Sequence, residues 1–296
     1  PSGVAVSNEG GVYVSDSGNH RIRYVNPEGK VSSVAGSGNA GFADGSLSRS
    51  KFNDPQAIVL TSDGHLFIAD SKNHRIRLID FKKGLVHTYA GAGIGDYRDA
   101  PDATQAYIRS PLGLAYQEQS RDLFFTDDDN RVRVVRALGG VETLLNGAGK
   151  TGYVDAAGLA AVFNSPSHMT FNDDESVLYI ADRRNNRIRS VDMLSLAVTT
   201  VAGTEAAPDG LGTLSSDGSV LGNPLPGSPA EIRFNQPFGI SFYREPRDVG
   251  DPFGNSSLAG RSALLVTELR SHRLRRIILD GNVSGSPDFS VASFPY

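Results

Sequence analysis

Six histidines and a set of regularly spaced acids are the side chains of this chain best able to ligate a metal or move a proton. His20, His74 and His272 each stand just before an arginine in the same short motif, so their recurrence is that of a structural repeat. His65 opens one apolar run and His87 lies in another. His168 is different: it stands where other repeats carry Gly3, Ala57, Gly113 and Gly239. On an innermost strand its imidazole would face a central channel. One imidazole does not make a zinc site, which takes three or four convergent ligands, and neither His-x-His nor His-Glu-x-x-His occurs. Asp44, Asp99, Asp155 and Asp209 recur as one acid per inter-repeat linker. Calcium is the cation that such a rim of carboxylates could hold, although Asp-Gly pairs are also ordinary turn formers. The absence of cysteine excludes thiol nucleophiles, cysteine-ligated zinc and disulfides, and suits either redox environment. There is no Gly-x-Ser-x-Gly elbow and no phosphate-cradling glycine loop. Residue types and spacing therefore assign no catalytic, cofactor-binding or metal-ligating set, and no cofactor is expected; calcium is the alternative.

Arginine carries the positive charge, since only six of the 29 basic residues are lysines. That bias favours fixed, bidentate ion pairs. Ten arginines sit in five Arg-x-Arg units, each a few residues after an acid: Asp16 with Arg21, Asp70 with Arg75, Asp127 with Arg131, Asp182 with Arg187, and Glu268 with Arg273. The acid closes one apolar run and the arginine opens the next. Antiparallel pairing would bring them together in a charge-assisted fork, with Asn19 in the left-handed turn position. These ten residues are read as a network that stabilises the repeats, not as a nucleic-acid surface.

The elements that must position these residues are short strands. Gly11-Val-Tyr-Val-Ser, His65-Leu-Phe-Ile-Ala and Val177-Leu-Tyr-Ile-Ala are β-branched or aromatic runs of period two, bounded by turn residues. A Pro-initiated strand recurs at Pro1, Pro55, Pro111, Pro166 and Pro237, and an apolar strand ends at Val34-Ala35-Gly36, Tyr89-Ala90-Gly91 and Val201-Ala202-Gly203. Each repeat thus holds four strands, and four-stranded sheets repeated radially make a β-propeller. The expected architecture is one all-β propeller spanning residues 1–296. Its four-stranded antiparallel blades cover approximately 1–54, 55–110, 111–165, 166–236 and 237–296. The linker that precedes every other repeat is missing before Pro1, which predicts upstream sequence and leaves a six-bladed ring as the alternative.

The 296 residues carry a formal net charge of -4, which argues against bulk electrostatic binding to nucleic acid. No run approaches 18 consecutive apolar residues, so no membrane span is expected. Two insertions, in 204–236 and 244–261, are long excursions from a rigid scaffold, where function tends to sit.

Asn19-His20-Arg21, Asn73-His74-Arg75, the Pro-x-Gly strand openings, and the linkers Gly41-Phe-Ala-Asp-Gly45 and Gly152-Tyr-Val-Asp-Ala156 resemble the NHL-repeat family of propellers. The resemblance runs from Pro1 to about Val291. The third repeat lacks one turn residue, and the fifth has Glu268 and Ser271 where others have Asp and Asn. The resemblance implies a non-catalytic platform that binds another protein through a disc face or through the loops 204–236 and 244–261. Some relatives are instead zinc lyases or calcium-holding propellers, so a metal-dependent lyase, hydrolase or ligand-binding channel near His168 is the alternative. Others bind single-stranded RNA, for which Arg183, Arg184, Arg244, Arg247 and Arg270 would form a local patch.

Overall fold

Short β-branched runs broken by Gly, Pro, Asn and Asp satisfy their backbone groups by pairing with their neighbours in sequence. The computed structural model describes residues 1–203, 234–244, 262–271, 273–279 and 291–295. The chain is all-β, a five-bladed β-propeller built of four-stranded antiparallel blades. It divides into two units, Pro1–Lys150 and Thr151–Tyr296.

The first unit holds three blades. Blade 1 comprises β1 (Val4–Val6), β2 (Val12–Asp16), β3 (Arg21–Val25) and β4 (Val31–Ala35). A two-residue strand, β5 (Gly45–Ser46), then joins the outer edge of blade 2, which is β6 (Pro55–Leu60), β7 (His65–Asp70), β8 (Arg75–Asp80) and β9 (Leu85–Ala90). Blade 3 is β10 (Leu114–Gln117), β11 (Asp122–Thr126), β12 (Val132–Val135) and β13 (Val141–Leu145). In the second unit, blade 4 is β14 (Pro166–Phe171), β15 (Val177–Asp182), β16 (Arg187–Asp192) and β17 (Val198–Ala202). Blade 5 is β18 (Pro237–Arg244), β19 (Ser262–Glu268), β20 (Arg273–Leu279) and β21 (Val291–Pro295).

Alternation along the strands gives a blade two faces, and within each unit neighbouring blades bury the apolar faces that meet. Between blades 1 and 2, Ile22 and Ala35 pack on Ile58, Leu66, Ile68, Ile79 and Val86, with Phe52 of the linker filling the seam. Between blades 2 and 3, Phe67, Ile76 and Ala90 meet Leu114, Leu123, Phe125 and Val135 over Ile108. In the second unit, Ala181, Ile188 and Ala202 meet Ile240, Leu264, Val266 and Ile277 over Phe234. Hydroxyls tie the same seams: Ser15 donates to the Gln56 carbonyl at 2.6 Å, and Ser167 to the Phe238 carbonyl at 2.8 Å.

One irregularity recurs and matters for the site. The register between third and fourth strands slips by one residue just before the second arginine, at Ile22/Arg23, Ile76/Arg77, Val132/Arg133 and Ile188/Arg189. Such a bulge re-aims a side chain. Here it sets Thr88, Thr143 and Thr200 opposite Arg77, Arg133 and Arg189.

Candidate functional site

The Asp-to-Arg turn is a single 3-10 turn, Ser17–Asn19 in blade 1, Ser71–Asn73 in blade 2 and Arg183–Asn185 in blade 4. The left-handed seat belongs to the residue after the expected one: His20 (φ 55°), His74 (φ 55°) and Asn186 (φ 53°). Asn19 is thereby freed to use its amide. It donates to Asp16 at 2.9 Å, while Asn73 bridges Asp70 (2.8 Å) and the Gly41 carbonyl (2.7 Å), and Asn185 bridges Asp182 and the Gly152 carbonyl in the same way. The left-handed residue also has a task. His20 Nδ1 accepts the Asp54 amide at 3.2 Å, His74 Nδ1 the Ser110 amide at 3.2 Å, and Asn186 Oδ1 the Gln236 amide at 2.9 Å. The motif histidines thus pin the end of the following linker.

Backbone register sets Asp16 opposite Arg21, Asp70 opposite Arg75, Asp182 opposite Arg187, and Glu268 opposite Arg273. The ion pair itself forms with the second arginine of each unit, not the first. Asp70 pairs with Arg77 at 2.8 Å, Asp127 with Arg133 at 3.4 Å, and Asp182 with Arg189 at 2.8 Å; Glu268 pairs with Arg275. The physical reason is diagonal reach. Both arginines share a face of the strand, and the first turns to acceptors in the linker or in the turn. Arg75 donates to the Ala92 carbonyl and Arg187 to the Asn185 carbonyl, whereas Arg131 pairs with Asp129 at 3.3 Å. The side chain of Arg273 lies outside the described residues.

The linker supplies what the strands lack. Asp44 reaches Arg77 at 2.5 Å, Asp99 reaches Arg133 at 2.8 Å, and Asp155 reaches Arg189 at 2.5 Å. Two residues before each acid is an aromatic ring. The first arginine lies over that ring at 3.6–3.9 Å, Arg75 on Phe42, Arg131 on Tyr97 and Arg187 on Tyr153. The second arginine flanks it at 4.8–5.1 Å. A ring between two guanidiniums gains cation–π attraction where both are largely desolvated. Arg77, Arg133 and Arg189 are wholly buried, each held by two carboxylates and by linker carbonyls such as those of Lys51, Ala43 and Val154. Burial outweighs the attraction of Arg133 and pushes the Asp127 carboxyl up to about 6. Burial likewise pushes Asp182 up to about 6 and raises Asp70.

Spacing had shown the acids and the arginines, but not that they belong together. Phe42-Ala-Asp44, Tyr97-Arg-Asp99 and Tyr153-Val-Asp155 were the available signal, an aromatic two before each linker acid. The three carboxylates are taken by guanidinium and by Thr88, Thr143 and Thr200. Asp209 and His272 lie outside the described residues. Among the described residues no three His, Asp or Glu converge on one point. Of the basic patch, Arg244 is paired with Asp173 at 3.0 Å and Arg247 lies outside the described residues. His168 sits on β14 with its ring edge-on to Phe238, 4.8 Å between centroids, and its Nε2 is buried with no partner among the described residues. Burial lowers its pKa to about 4, so it is a neutral imidazole.

The bladed fold is that of a β-propeller, and the NHL repeat matches residues 1–23 and 52–77. The chain belongs to the NHL-repeat β-propeller family. It is 30% identical to human NHL repeat-containing protein 2 over 238 residues, which is 69% of this chain and 32% of that protein. The chain thus spans about a third of this relative's length. Among solved structures, one titled "Crystal structure of Nidogen/Laminin Complex" aligns with a TM-score of 0.59 at 14% identity, covering 99% of this chain and 79% of that one. A streptogramin B lyase aligns with a TM-score of 0.53 at 14% identity, covering 100% and 68%. At such identities the two structures speak to the fold alone. No helix of the described residues is long and apolar enough to cross a membrane.

Proposed function

We propose that this chain is a non-catalytic NHL propeller that serves as a preorganised platform for a protein partner. The observation that carries this reading is the fate of its chemically capable residues. Arg77, Arg133 and Arg189, with their two carboxylates apiece, are spent on holding linkers to blades. Linkers tied down in this way lose little conformational freedom on binding, which favours association without any new contact. The segments proposed to meet the partner are 204–236 and 244–261, of which 204–233 and 245–261 lie outside the described residues. Photo-crosslinkers placed in these segments should trap one protein of defined mass, and crosslinkers at the exposed Leu138 and Leu194 should not. Equal trapping at all positions, or none at any, would sink the idea.

The buried Nε2 of His168, without a partner among the described residues, favours a second reading, a ligand-binding or metal-assisted channel. One equivalent of bound zinc or calcium in the purified chain, with a melting temperature that drops on chelation, would move this reading ahead of the first.

A further inference from the structure

The corner where a linker meets the next inner strand is strained in the same way in successive repeats. Asp54 (φ 59°), Ser110 (φ 45°), Ser165 (φ 50°) and Gln236 (φ 55°) are all left-handed, and each is followed by a proline: Pro55, Pro111, Pro166 and Pro237. A residue with a side chain resists that conformation, and a following proline biases it toward extended backbone. Such a corner persists only where its surroundings fix it. At three of them the fixing group is the side chain in the left-handed seat of the Asp-to-Arg turn. His20 Nδ1 accepts the Asp54 amide and His74 Nδ1 the Ser110 amide, both at 3.2 Å, while Asn186 Oδ1 accepts the Gln236 amide at 2.9 Å.

A proton can withdraw a histidine pin but not an asparagine one. Neutral imidazole accepts through one nitrogen, whereas imidazolium carries N–H on both and accepts nothing. Asn130 (φ 62°) and Asn186 (φ 53°) fill the same seat in blades 3 and 4 and do not titrate. The charges that face His74 are Arg75, next to it on β8, and Arg109 from the end of the linker; uncharged Gly95 lies close against the ring. Arg109 is paired with Asp129 and has Asp128 and Asp96 nearby, and Arg75 has Asp44 and Asp70 nearby. Burial, Arg75 and Arg109 hold the His74 pKa below the ordinary 6.5, so this pin is closed at neutral pH and is lost only as pH falls through the folded value. Beside His20 stand Arg21 on its own strand and Asp54, whose carboxylate pairs with Lys72 at 3.5 Å.

We propose that His20 and His74 are acid-released pins: protonation of either ring frees the linker end that it holds, while the asparagine-pinned corner at Gln236 stays closed. The rest of each linker end is held separately. The Asn53 carbonyl accepts the Lys72 amide at 3.0 Å, and the Arg109 carbonyl accepts the Asp128 amide at 2.8 Å. The release is therefore local, at Asp54–Pro55 and Ser110–Pro111, where two inner strands are entered. This device is independent of the loops invoked for the platform.

Amide exchange of the 296-residue chain, read residue by residue by NMR and corrected for intrinsic rates, tests it between about pH 7.5 and 4.5. Protection of Ser110 should fall by about fivefold or more with the midpoint of the His74 ring titration, while that of Gln236 holds. H74N should keep Ser110 protected throughout and leave Asp54 responding as in the parent; H20N should do the reverse. Asp70, which accepts the Asn53 amide at 2.7 Å, is common to parent and variants, so its titration cancels in the comparison. Should H74N disturb the fold, ring nitrogen chemical shifts of the parent still decide, because Nδ1 of His74 must be the unprotonated nitrogen at neutral pH. A proton on Nδ1 there, Ser110 protection indifferent to pH, or an equal loss in H74N overturns the proposal.

Discussion

A guanidinium with no exposed surface needs compensating charge on every side. Arg189 has Asp182 at 2.8 Å, Asp155 at 2.5 Å and the carbonyls of Val154 and Val162. Breaking such a set leaves a buried carboxylate alone, so Arg189→Gln should cost about 3–5 kcal/mol in urea unfolding. Arg23→Gln, part-exposed and loosely paired, should cost less than about 1 kcal/mol. His168 offers a pH signature. Its folded pKa of about 4 lies below the ordinary 6.5 of a histidine, so the unfolded chain binds the extra proton between these values. Stability is then lost as pH falls from about 6.5 toward 4, about 2 kcal/mol of it by pH 5. Asp127 and Asp182, raised to about 6, act in the opposite sense, losing stability as pH rises from about 4 to 6. Comparing the stability difference between pH 8 and pH 5 in the parent and in His168→Gln isolates the histidine: the variant should lose about 2 kcal/mol less. Residue spacing identified the acids and arginines but not their partners. A period of two says which side chains share a face, and both arginines share it. Which one reaches the acid depends on a bulge and a linker that spacing does not contain.

The turn and the linker it pins form the next level. His20, His74 and Asn186 have the same left-handed backbone and the same acceptor role toward the next linker. His74→Asn should therefore be tolerated within about 0.5 kcal/mol, because asparagine accepts the left-handed seat and offers an oxygen. His74→Ala should cost about 1–2 kcal/mol, losing the acceptor for the Ser110 amide and straining the backbone. Thermal melts of the two variants decide it; equal losses would mean that the acceptor is idle. Gly91 closes the same corner at φ 98°, where a Cβ would come 2.6 Å from the His74 carbonyl. In the third repeat that corner is Asn146 (φ 55°), whose amide reaches the Asn130 carbonyl, which explains why the Val-Ala-Gly signature fades there. Strand number, order and the Asp16-to-Arg21 register were legible from alternation, prolines and repeats, since these depend on neighbours in sequence. The seating of Phe42 on Arg75 was not, because it joins residues 33 positions apart through a turn-rich linker.

Protection across the molecule should follow burial blade by blade. Amides of β6, whose Ile58 packs on blade 1, should exchange far more slowly than those of β1, where Val4 and Val6 are open to solvent. Hydrogen exchange read by mass spectrometry checks this, and similar protection in the two strands would contradict the open valine face. The direction of the lock has a further consequence for a chain made from its N-terminus. The acids that neutralise the three wholly buried guanidiniums precede them: Asp44 and Asp70 come before Arg77, Asp99 and Asp127 before Arg133, Asp155 and Asp182 before Arg189. When such an arginine leaves the ribosome, both of its counter-charges have already emerged. A nascent blade can therefore lock as soon as its fourth strand is out, without waiting for anything still to be translated.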